Sequence, residues 1–126
     1  MKIRIYYEDT DAAGIVYYAN YLKFCERARS EVFFAAGSTP QGEEGYFVVK
    51  KIEAEYHQPA KLGEMVEVQT NMVQKRGASI TLRQRVLRDE TPLFEMLVTL
   101  VYLKNGRPGR IPPEVQSLIC SWEKGE

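Results

Sequence analysis

Apolar and polar residues alternate along this chain with two periods, one typical of a helix and one typical of strands. From about Asn20 to Ala36 the apolar residues recur every three or four positions, and the charged residues fall largely between them. The apolar set is Leu22, Cys25, Ala28, Val32 and Ala36. The spacing predicts one amphipathic helix, which Gly37 would end and Pro40 would keep from resuming.

Most of the remaining chain is rich in the β-branched and aromatic residues that strands favour, in runs separated by glycine, proline or charged turns. The runs are residues 2 to 7, 46 to 58, 65 to 74, 78 to 88 and 93 to 103. In the second run the apolar phase shifts between Val49 and Ile52, which predicts a bulge near Lys50 and Lys51. A short terminal helix is also predicted, and its apolar residues are Val115, Leu118 and Ile119.

The order of these elements, one strand, a long helix and four strands joined by short turns, predicts an α+β fold in which an antiparallel sheet wraps around a single central helix. No repeat or linker divides the sequence, so we expect one domain over residues 1–126. The run from 93 to 103 is apolar at both alternating sets of positions. Since one helix covers one face of a sheet, the other face is expected to meet a second protomer.

Composition argues against several classes of function. The chain carries 17 basic and 17 acidic residues, so no net field would draw it to nucleic acid or to an anionic membrane. Cys25 and Cys120 lie far apart and His57 is the single histidine, so we expect neither a disulfide framework nor a metal site. The charged N-terminal residues and the lack of a long apolar run predict a cytoplasmic protein without membrane insertion.

Candidate chemistry is concentrated in residues 7–21, just before the predicted helix. Asp9 and Asp11 lie there near a helix N-terminus, where unpaired backbone N–H groups stabilise an oxygen that becomes negative. Such a minimal site suits a thioester, because a thiol with a pKa of roughly 8.5 leaves without a strong general acid. The simpler alternative is that both aspartates only close turns or cap the helix. Asp11 lies some way before Asn20 and is poorly placed as a simple cap, although it could close an Asx turn.

Residues 7–21, Tyr-Glu-Asp-Thr-Asp-Ala-Ala-Gly-Ile-Val-Tyr-Tyr-Ala-Asn-Tyr, resemble the 4-hydroxybenzoyl-CoA thioesterase family of hot-dog proteins, and within it the YbgC-like acyl-CoA thioesterases. Residues 26–29, Glu-Arg-Ala-Arg, and residues 56–60, Tyr-His-Gln-Pro-Ala, extend the resemblance over most of the chain. It implies a hot-dog fold and hydrolysis of an acyl-CoA to a carboxylic acid and free coenzyme A, without a metal or organic cofactor. It also implies homo-oligomers: dimers with a continuous sheet and an active site between protomers, often paired into tetramers.

The resemblance also assigns roles to single residues. The family's D-x-D-x-x-G-x-V-x-x-x-x-Y pattern places the catalytic aspartate at Asp11, as nucleophile or as general base toward water. The backbone N–H of Tyr18 would polarise the thioester carbonyl. Three neighbouring residues would contact the substrate, namely Gly14, Ile15 and Tyr17. Basic and hydroxyl groups of a predicted hairpin, Lys75, Arg76 and Ser79, would bind the coenzyme A phosphates, with an ordinary solvated hairpin as the alternative.

One position departs from the YbgC-like pattern: many members have histidine where Tyr18 stands, whereas the hydroxybenzoyl-CoA branch has tyrosine. The acyl group is therefore left open, whether short, long or aromatic. A hot-dog dehydratase is a rival function, but it would need a histidine paired with an acid near the helix, and His57 is badly placed for that. A non-catalytic module that binds acyl-CoA or another protein is the alternative from a different class.

Overall fold

The computed structural model describes residues 1–125, so that Glu126, the last residue of the predicted domain, lies outside the described residues. The strands are β1 (Lys2–Arg4), β2 (Gly45–Tyr56), β3 (Met65–Arg76), β4 (Ser79–Arg88), β5 (Thr91–Lys104) and β6 (Arg107–Pro108). The helices are α1 (Asn20–Ala35), α2 (Pro113–Ile119) and α3 (Ser121–Lys124). All strand pairs are antiparallel, in the order β1-β3-β4-β5-β2, and β6 pairs with β5. The predicted α+β architecture, one sheet around a long helix, is confirmed.

The helix α1 ends where its sequence predicts. The Ser38 N–H donates to the Phe33 carbonyl at 2.9 Å, and the Gly37 N–H donates to the carbonyl of the next residue, Phe34, at 3.0 Å. This pair of bonds is a Schellman motif, which satisfies carbonyls that a helix end leaves without partners. Gly37 has φ +76°, a conformation that residues with a Cβ rarely adopt.

The buried face of α1 differs from the predicted one. Its buried residues are Tyr21, Phe24, Cys25, Ala28 and Phe33. Leu22 and Val32 are half-buried and pack against the core as predicted. Ala36 is exposed, so that member of the predicted face is wrong. The spacing missed Tyr21 because its hydroxyl makes the residue look polar. In the fold that hydroxyl is satisfied by the N–H of Ala60 at 3.1 Å, which allows the ring to be buried.

The edge strand β2 contains the predicted bulge. Its pairing with β5 shifts register between Val49 and Lys51. Before the shift Val49 lies opposite Leu100, and after it Ile52 lies opposite Val98. The extra residue therefore keeps the apolar side chains of both halves of β2 on the face toward α1. On its other side β2 has no strand partner within residues 1–125.

The two ends of the chain differ from the prediction in detail. The strand predicted over residues 2 to 7 ends at Arg4, and Tyr7–Asp9 form a 3-10 turn instead. The Asp9 carboxylate accepts the Tyr6 N–H at 2.8 Å, a local bond that competes with sheet pairing. The predicted terminal helix is confirmed as α2. The short helix α3 follows it and buries Trp122, which the sequence did not predict.

The core lies between α1 and the sheet. From β4 and β5 it takes alternate residues, which are Ile80, Leu82, Val86, Phe94, Met96, Val98, Leu100 and Tyr102. On the other face of β5, Leu97, Val101 and Leu103 stay half-buried. Leu93 was expected on that face but is buried in the core, because the register of β4 against β5 shifts beside it. Within residues 1–125 no helix combines the length and the apolar character that crossing a membrane requires.

Candidate active site

Asp11 lies in a four-residue turn that is closed by its own backbone and side chain. Its carbonyl accepts the Gly14 N–H at 3.0 Å, and its carboxylate Oδ1 accepts the Ala13 N–H at 2.9 Å. Gly14 has φ +79°, so the chain leaves the turn in a conformation that favours glycine. The Asx turn is therefore present, but it uses one carboxylate oxygen. The other oxygen has no hydrogen-bond partner within residues 1–125, and Asp11 is exposed.

Backbone hydrogen bonds attach this turn to the loop between β2 and β3. The Val16 N–H donates to the carbonyl of Ala60 at 2.9 Å. The Leu62 N–H donates to the carbonyl of Gly14 at 3.2 Å. Because Ala60 is buried, these bonds connect the turn to the core. The carboxylate of Asp11 therefore has a defined position on the surface.

The chain enters α1 through residues 17–19, where two backbone donors are unpaired. The Tyr17 N–H donates to the Asp9 carbonyl at 2.9 Å, and the Asn20 N–H donates back to the Tyr17 carbonyl at 2.8 Å. Between them, the N–H groups of Tyr18 and Ala19 donate to no acceptor within the described residues. Unpaired amides at a helix N-terminus carry partial positive charge. The Tyr18 N–H, which the sequence motif selects, is thus free to bind an oxygen atom.

Aromatic rings form a wall beside this helix start. Tyr21 stacks on Phe94 with ring centroids 4.9 Å apart, and Tyr56 meets Phe94 edge-on at 5.0 Å. The Tyr56 hydroxyl donates to the Tyr18 carbonyl at 2.9 Å. Burial raises the pKa of Tyr56, so its phenol stays protonated and able to donate at neutral pH. Sequence reasoning missed this role because only the folded chain brings the end of β2 to the start of α1.

The three predicted substrate contacts lie in the same segment as Asp11 and Tyr18. Gly14 ends the turn, and Ile15 is half-buried behind it. Tyr17 is exposed, with its ring centroid 4.8 Å from that of Tyr18. The fold therefore presents these residues together on one continuous surface loop, and their contact with a substrate stays a prediction.

The predicted coenzyme A contacts lie at the other end of the sheet. Lys75, Arg76 and Ser79 flank the β3–β4 hairpin, whereas the loop that holds Asp11 lies beside the start of β3. Since β3 has 12 residues, the two places are about 36 Å apart along the strand. Lys75 Nζ donates to Gln116 Oε1 of α2 at 2.8 Å, which fixes its side chain. Within one protomer these residues are not brought to Asp11.

The histidine and the cysteines lie outside this arrangement. His57 follows β2, and its Nε2 is 3.8 Å from a Glu95 carboxylate oxygen. Burial raises the pKa of the Cys25 thiol to about 12, so this thiol stays protonated at neutral pH and acts in packing. Among residues 1–125, no three or more His, Cys, Asp or Glu side chains gather in a group suited to a metal ion. The candidate reactive groups of the site are the Asp11 carboxylate and the unpaired amides at the start of α1.

A groove runs between α1 and the edge strand β2, and we call it the α1–β2 groove. It consists of two adjoining cavities of about 400 and 460 Å³, whose linings share Glu26, Arg29 and Val49. Asp11 does not line either cavity. Arg29 belongs to the family-like segment of residues 26–29, and no sequence pattern predicts a role for it.

Comparison with known proteins relates these features to a family. Residues 13–95 match the family model of the thioesterase superfamily, a range that begins two residues after Asp11. The acyl-CoA thioesterase YbgC of Helicobacter pylori is 49% identical over 86 residues, which span 68% of this chain but only 65% of that relative's length. The acyl-CoA thioester hydrolase YbgC of Escherichia coli is 40% identical over 119 residues, or 90% of this chain and 89% of that protein.

A solved structure extends the similarity to nearly the whole fold. A thioesterase from Thermus thermophilus, solved in complex with coenzyme A and zinc, matches with a TM-score of 0.81 at 26% identity. The match covers 98% of this chain and 93% of that one. The predicted resemblance to YbgC-like proteins is therefore confirmed, and the chain belongs to the thioesterase superfamily.

Proposed function

We propose that this chain hydrolyses acyl-CoA thioesters to a carboxylic acid and free coenzyme A. The observation that carries the proposal is the fixed carboxylate of Asp11, on a loop that leads into a helix start where the Tyr18 N–H is unpaired within residues 1–125. A carboxylate and a donor for the developing oxyanion are the groups that this reaction needs most. The names of the YbgC relatives and the coenzyme A bound to the Thermus thioesterase support the same activity.

Asp11 and Tyr18 have different roles in the proposed reaction. The Tyr18 N–H donates to the thioester carbonyl oxygen, while the Ala13 N–H holds Oδ1 of Asp11 and leaves Oδ2 for chemistry. As nucleophile, Oδ2 attacks the carbonyl carbon, the carbon–sulfur bond breaks, the thiolate leaves, and water hydrolyses the resulting anhydride. As general base, Oδ2 takes a proton from a water molecule whose oxygen attacks and expels the same thiolate. Both routes proceed without a metal or an organic cofactor.

The proposed activity is tested by a thiol-release assay on a panel of aliphatic and aromatic acyl-CoAs. We expect at least one class to be hydrolysed with kcat/KM of about 10⁴ M⁻¹s⁻¹ or more, a value at the low end for natural enzymes. The panel also identifies which acyl group is hydrolysed, a choice that the tyrosine at position 18 does not determine. Binding of acyl-CoA without thiol release across the whole panel would contradict hydrolysis and favour a non-catalytic binding module.

We also infer that two protomers complete the site. The residues proposed for the coenzyme A phosphates lie about 36 Å from the Asp11 loop along β3. The edge strand β2 exposes a row of apolar side chains, which are Tyr46, Val49, Ile52 and Tyr56. An apolar open edge favours pairing with another strand. If two β2 strands paired antiparallel about a two-fold axis, the sheets of the two protomers would run in opposite directions. The β3–β4 hairpin of one protomer would then lie on the same side of the dimer as the Asp11 loop of its partner.

The proposals of a tetramer and of a cytoplasmic location rest on other observations. The half-buried outer residues of β5, Leu97, Val101 and Leu103, support contact between dimers and thus a homotetramer. The cytoplasmic location predicted from the sequence stays a prediction.

A charge placed on the edge strand tests the assembly. Ile52 is 39% exposed, so Ile52→Glu is compatible with the fold of one protomer but puts a carboxylate in the proposed strand pairing. We expect light scattering to report the mass of a single chain. Because Ile52 also lines the α1–β2 groove, the mass and not the hydrolysis rate reports on the assembly. Val73→Glu is the matched control, because Val73 is 49% exposed on β3, away from this edge. A wild-type chain that is already monomeric and fully active would contradict the inference.

A further inference from the structure

Arg29 is a positively charged residue of α1 that forms no ion pair with a carboxylate of residues 1–125. Its side chain is half-buried, and none of the ion pairs formed within residues 1–125 includes it. Its one hydrogen bond within the described chain runs from Nη1 to Oε1 of Gln84, at 2.9 Å. A guanidinium has five N–H donors, so most of those of Arg29 are left for another acceptor.

Gln84 holds Arg29 in one orientation. This residue is 0% exposed, and its Nε2 donates to the carbonyl of Cys25 and to Oγ1 of Thr70, both at 3.0 Å. A backbone carbonyl only accepts, so the amide nitrogen must face Cys25 and the amide oxygen must face Arg29. The bond to Gln84 therefore holds the guanidinium in place, and the amide oxygen and nitrogen of Gln84 both have partners.

The remaining side of Arg29 faces the α1–β2 groove, because Arg29 lines both of its cavities. Apolar side chains on its walls include Phe33, Phe47 and Leu100 in one cavity and Leu22, Ile52 and Met96 in the other. Lys23 and Arg27, which are both exposed, also line the second cavity. Glu26, one turn earlier on the helix, also lines both cavities but is exposed and forms no ion pair with Arg29. The groove thus offers a fixed cation beside apolar side chains.

The negative charge of Glu26 favours the charged form of Arg29 without forming an ion pair with it, and a directly bonded anion would add further stabilisation. Burial lowers the pKa of Arg29, which reflects the loss of water around the charge. Removing a charge from water is costly unless it is paired. A planar carboxylate matches the guanidinium fork and can accept two parallel N–H bonds.

The position of Arg29 relates this charge to the proposed reaction site. Arg29 lies nine residues after Asn20, which is about 14 Å along the helix axis, and its side chain leans back toward the helix N-terminus. Leu22, in the first turn of α1, already lines the groove. An acyl group whose carbonyl binds the Tyr18 N–H can therefore extend along the groove and bring its far end to Arg29.

We propose that Arg29 binds a carboxylate at the far end of the acyl group, so that the preferred substrates are coenzyme A monothioesters of dicarboxylic acids. The inference rests on the proposed acyl-CoA hydrolysis and names its substrate class. Arg29 is a specificity residue in this scheme, and the carbon–sulfur bond is broken by the groups already assigned.

The test compares pairs of substrates that share a chain length and differ only at the far end: adipoyl-CoA with hexanoyl-CoA, suberoyl-CoA with octanoyl-CoA, and sebacoyl-CoA with decanoyl-CoA. For the best-fitting length, the wild-type chain is expected to have a kcat/KM about tenfold or more higher for the carboxylate-terminated member, the range of one charge-assisted pair. In Arg29→Met the ratio should fall to about one, while hydrolysis of the methyl-terminated member stays within about threefold.

Arg85→Met is the matched control, because Arg85 follows Gln84 in β4 and therefore lies on the opposite face of the sheet. It removes the same charge and should keep the wild-type ratio. If Arg29→Met fails to fold, the kcat/KM ratios of the wild-type chain still test the inference. Equal kcat/KM values for both members of every substrate pair would overturn it, while acyl-CoA hydrolysis itself would still stand. Thiol release from no substrate at all would instead contradict the proposed function, and calorimetric binding of suberoyl-CoA against octanoyl-CoA would then decide the role of Arg29.

Discussion

Asp11→Asn is expected to lower kcat for acyl-CoA hydrolysis by about a thousandfold, within the range by which a positioned acid or base accelerates a reaction. Asparagine keeps an oxygen that can accept the Ala13 N–H, so the turn that now holds Oδ1 at 2.9 Å is preserved. It removes the negative charge that is proposed to attack the thioester or to take a proton from water. The free energy of unfolding should stay within about 0.5 kcal/mol of wild type, since the side chain is exposed.

The measurement is a thiol-release assay under single-turnover and steady-state conditions, with thermal unfolding followed in parallel. Asp9→Asn is the control, because Asp9 lies two residues earlier and its carboxylate only closes the 3-10 turn through the Tyr6 N–H. It should retain activity within about threefold. A variant at position 11 that turns over at the wild-type rate would remove Asp11 from the mechanism.

Phe94→Ala is expected to destabilise the fold by about 3–5 kcal/mol, the usual effect of deleting a buried phenyl ring. Phe94 is 0% exposed and contacts two rings of the site wall, stacking on Tyr21 at 4.9 Å and meeting Tyr56 at 5.0 Å. Its loss therefore removes core packing and also the support of the hydroxyl that binds the Tyr18 carbonyl. We expect hydrolysis to decrease even where the variant is still folded.

Urea unfolding with linear extrapolation measures the first effect, and activity well below the unfolding midpoint measures the second. Phe34→Ala provides the comparison, since Phe34 is 54% exposed on α1 and its truncation should cost within about 0.5 kcal/mol. A loss of less than about 1 kcal/mol at position 94 would mean that the core collapses into the space of the ring.

Much of the fold follows from local patterns that the sequence displays directly. The shift of apolar phase after Val49 predicts a bulge, and the register of β2 against β5 shifts at that place. Gly37 marks the end of α1 because only a left-handed residue completes its last hydrogen bonds. These features depend on a few neighbouring residues, so the sequence contains all the information that they require.

Features that depend on distant residues could not be predicted in the same way. The burial of Tyr21 requires the N–H of Ala60, 39 positions away, and Gln84 bonds to the carbonyl of Cys25 across 59 positions. Neither pair has a spacing that a helix or strand pattern would reveal. The helix α3 was missed for a related reason, because a four-residue element is stabilised by the burial of Trp122 and not by its own periodicity.

For the candidate site, the sequence proposes the residues, and the fold adds their geometry. The motif selects Asp11, and the fold adds that one of its oxygens is engaged by Ala13. It also selects the Tyr18 amide, and the fold adds that Tyr56 fixes the carbonyl of the same residue. The separation of the β3–β4 hairpin from Asp11 becomes visible only when the strand lengths and the pairing order are known.

In the proposed dimer, the hydrogen bond from Tyr56 to Tyr18 would couple assembly to catalysis. Tyr56 ends the strand whose other edge is open, and Tyr18 supplies the amide proposed to stabilise the oxyanion. A strand that docked on this edge would therefore lie one side chain away from the peptide proposed to hold the reacting carbonyl. A movement of β2 on association would reach that peptide through the Tyr56 phenol, so the proposed quaternary contact and the turnover rate would be linked.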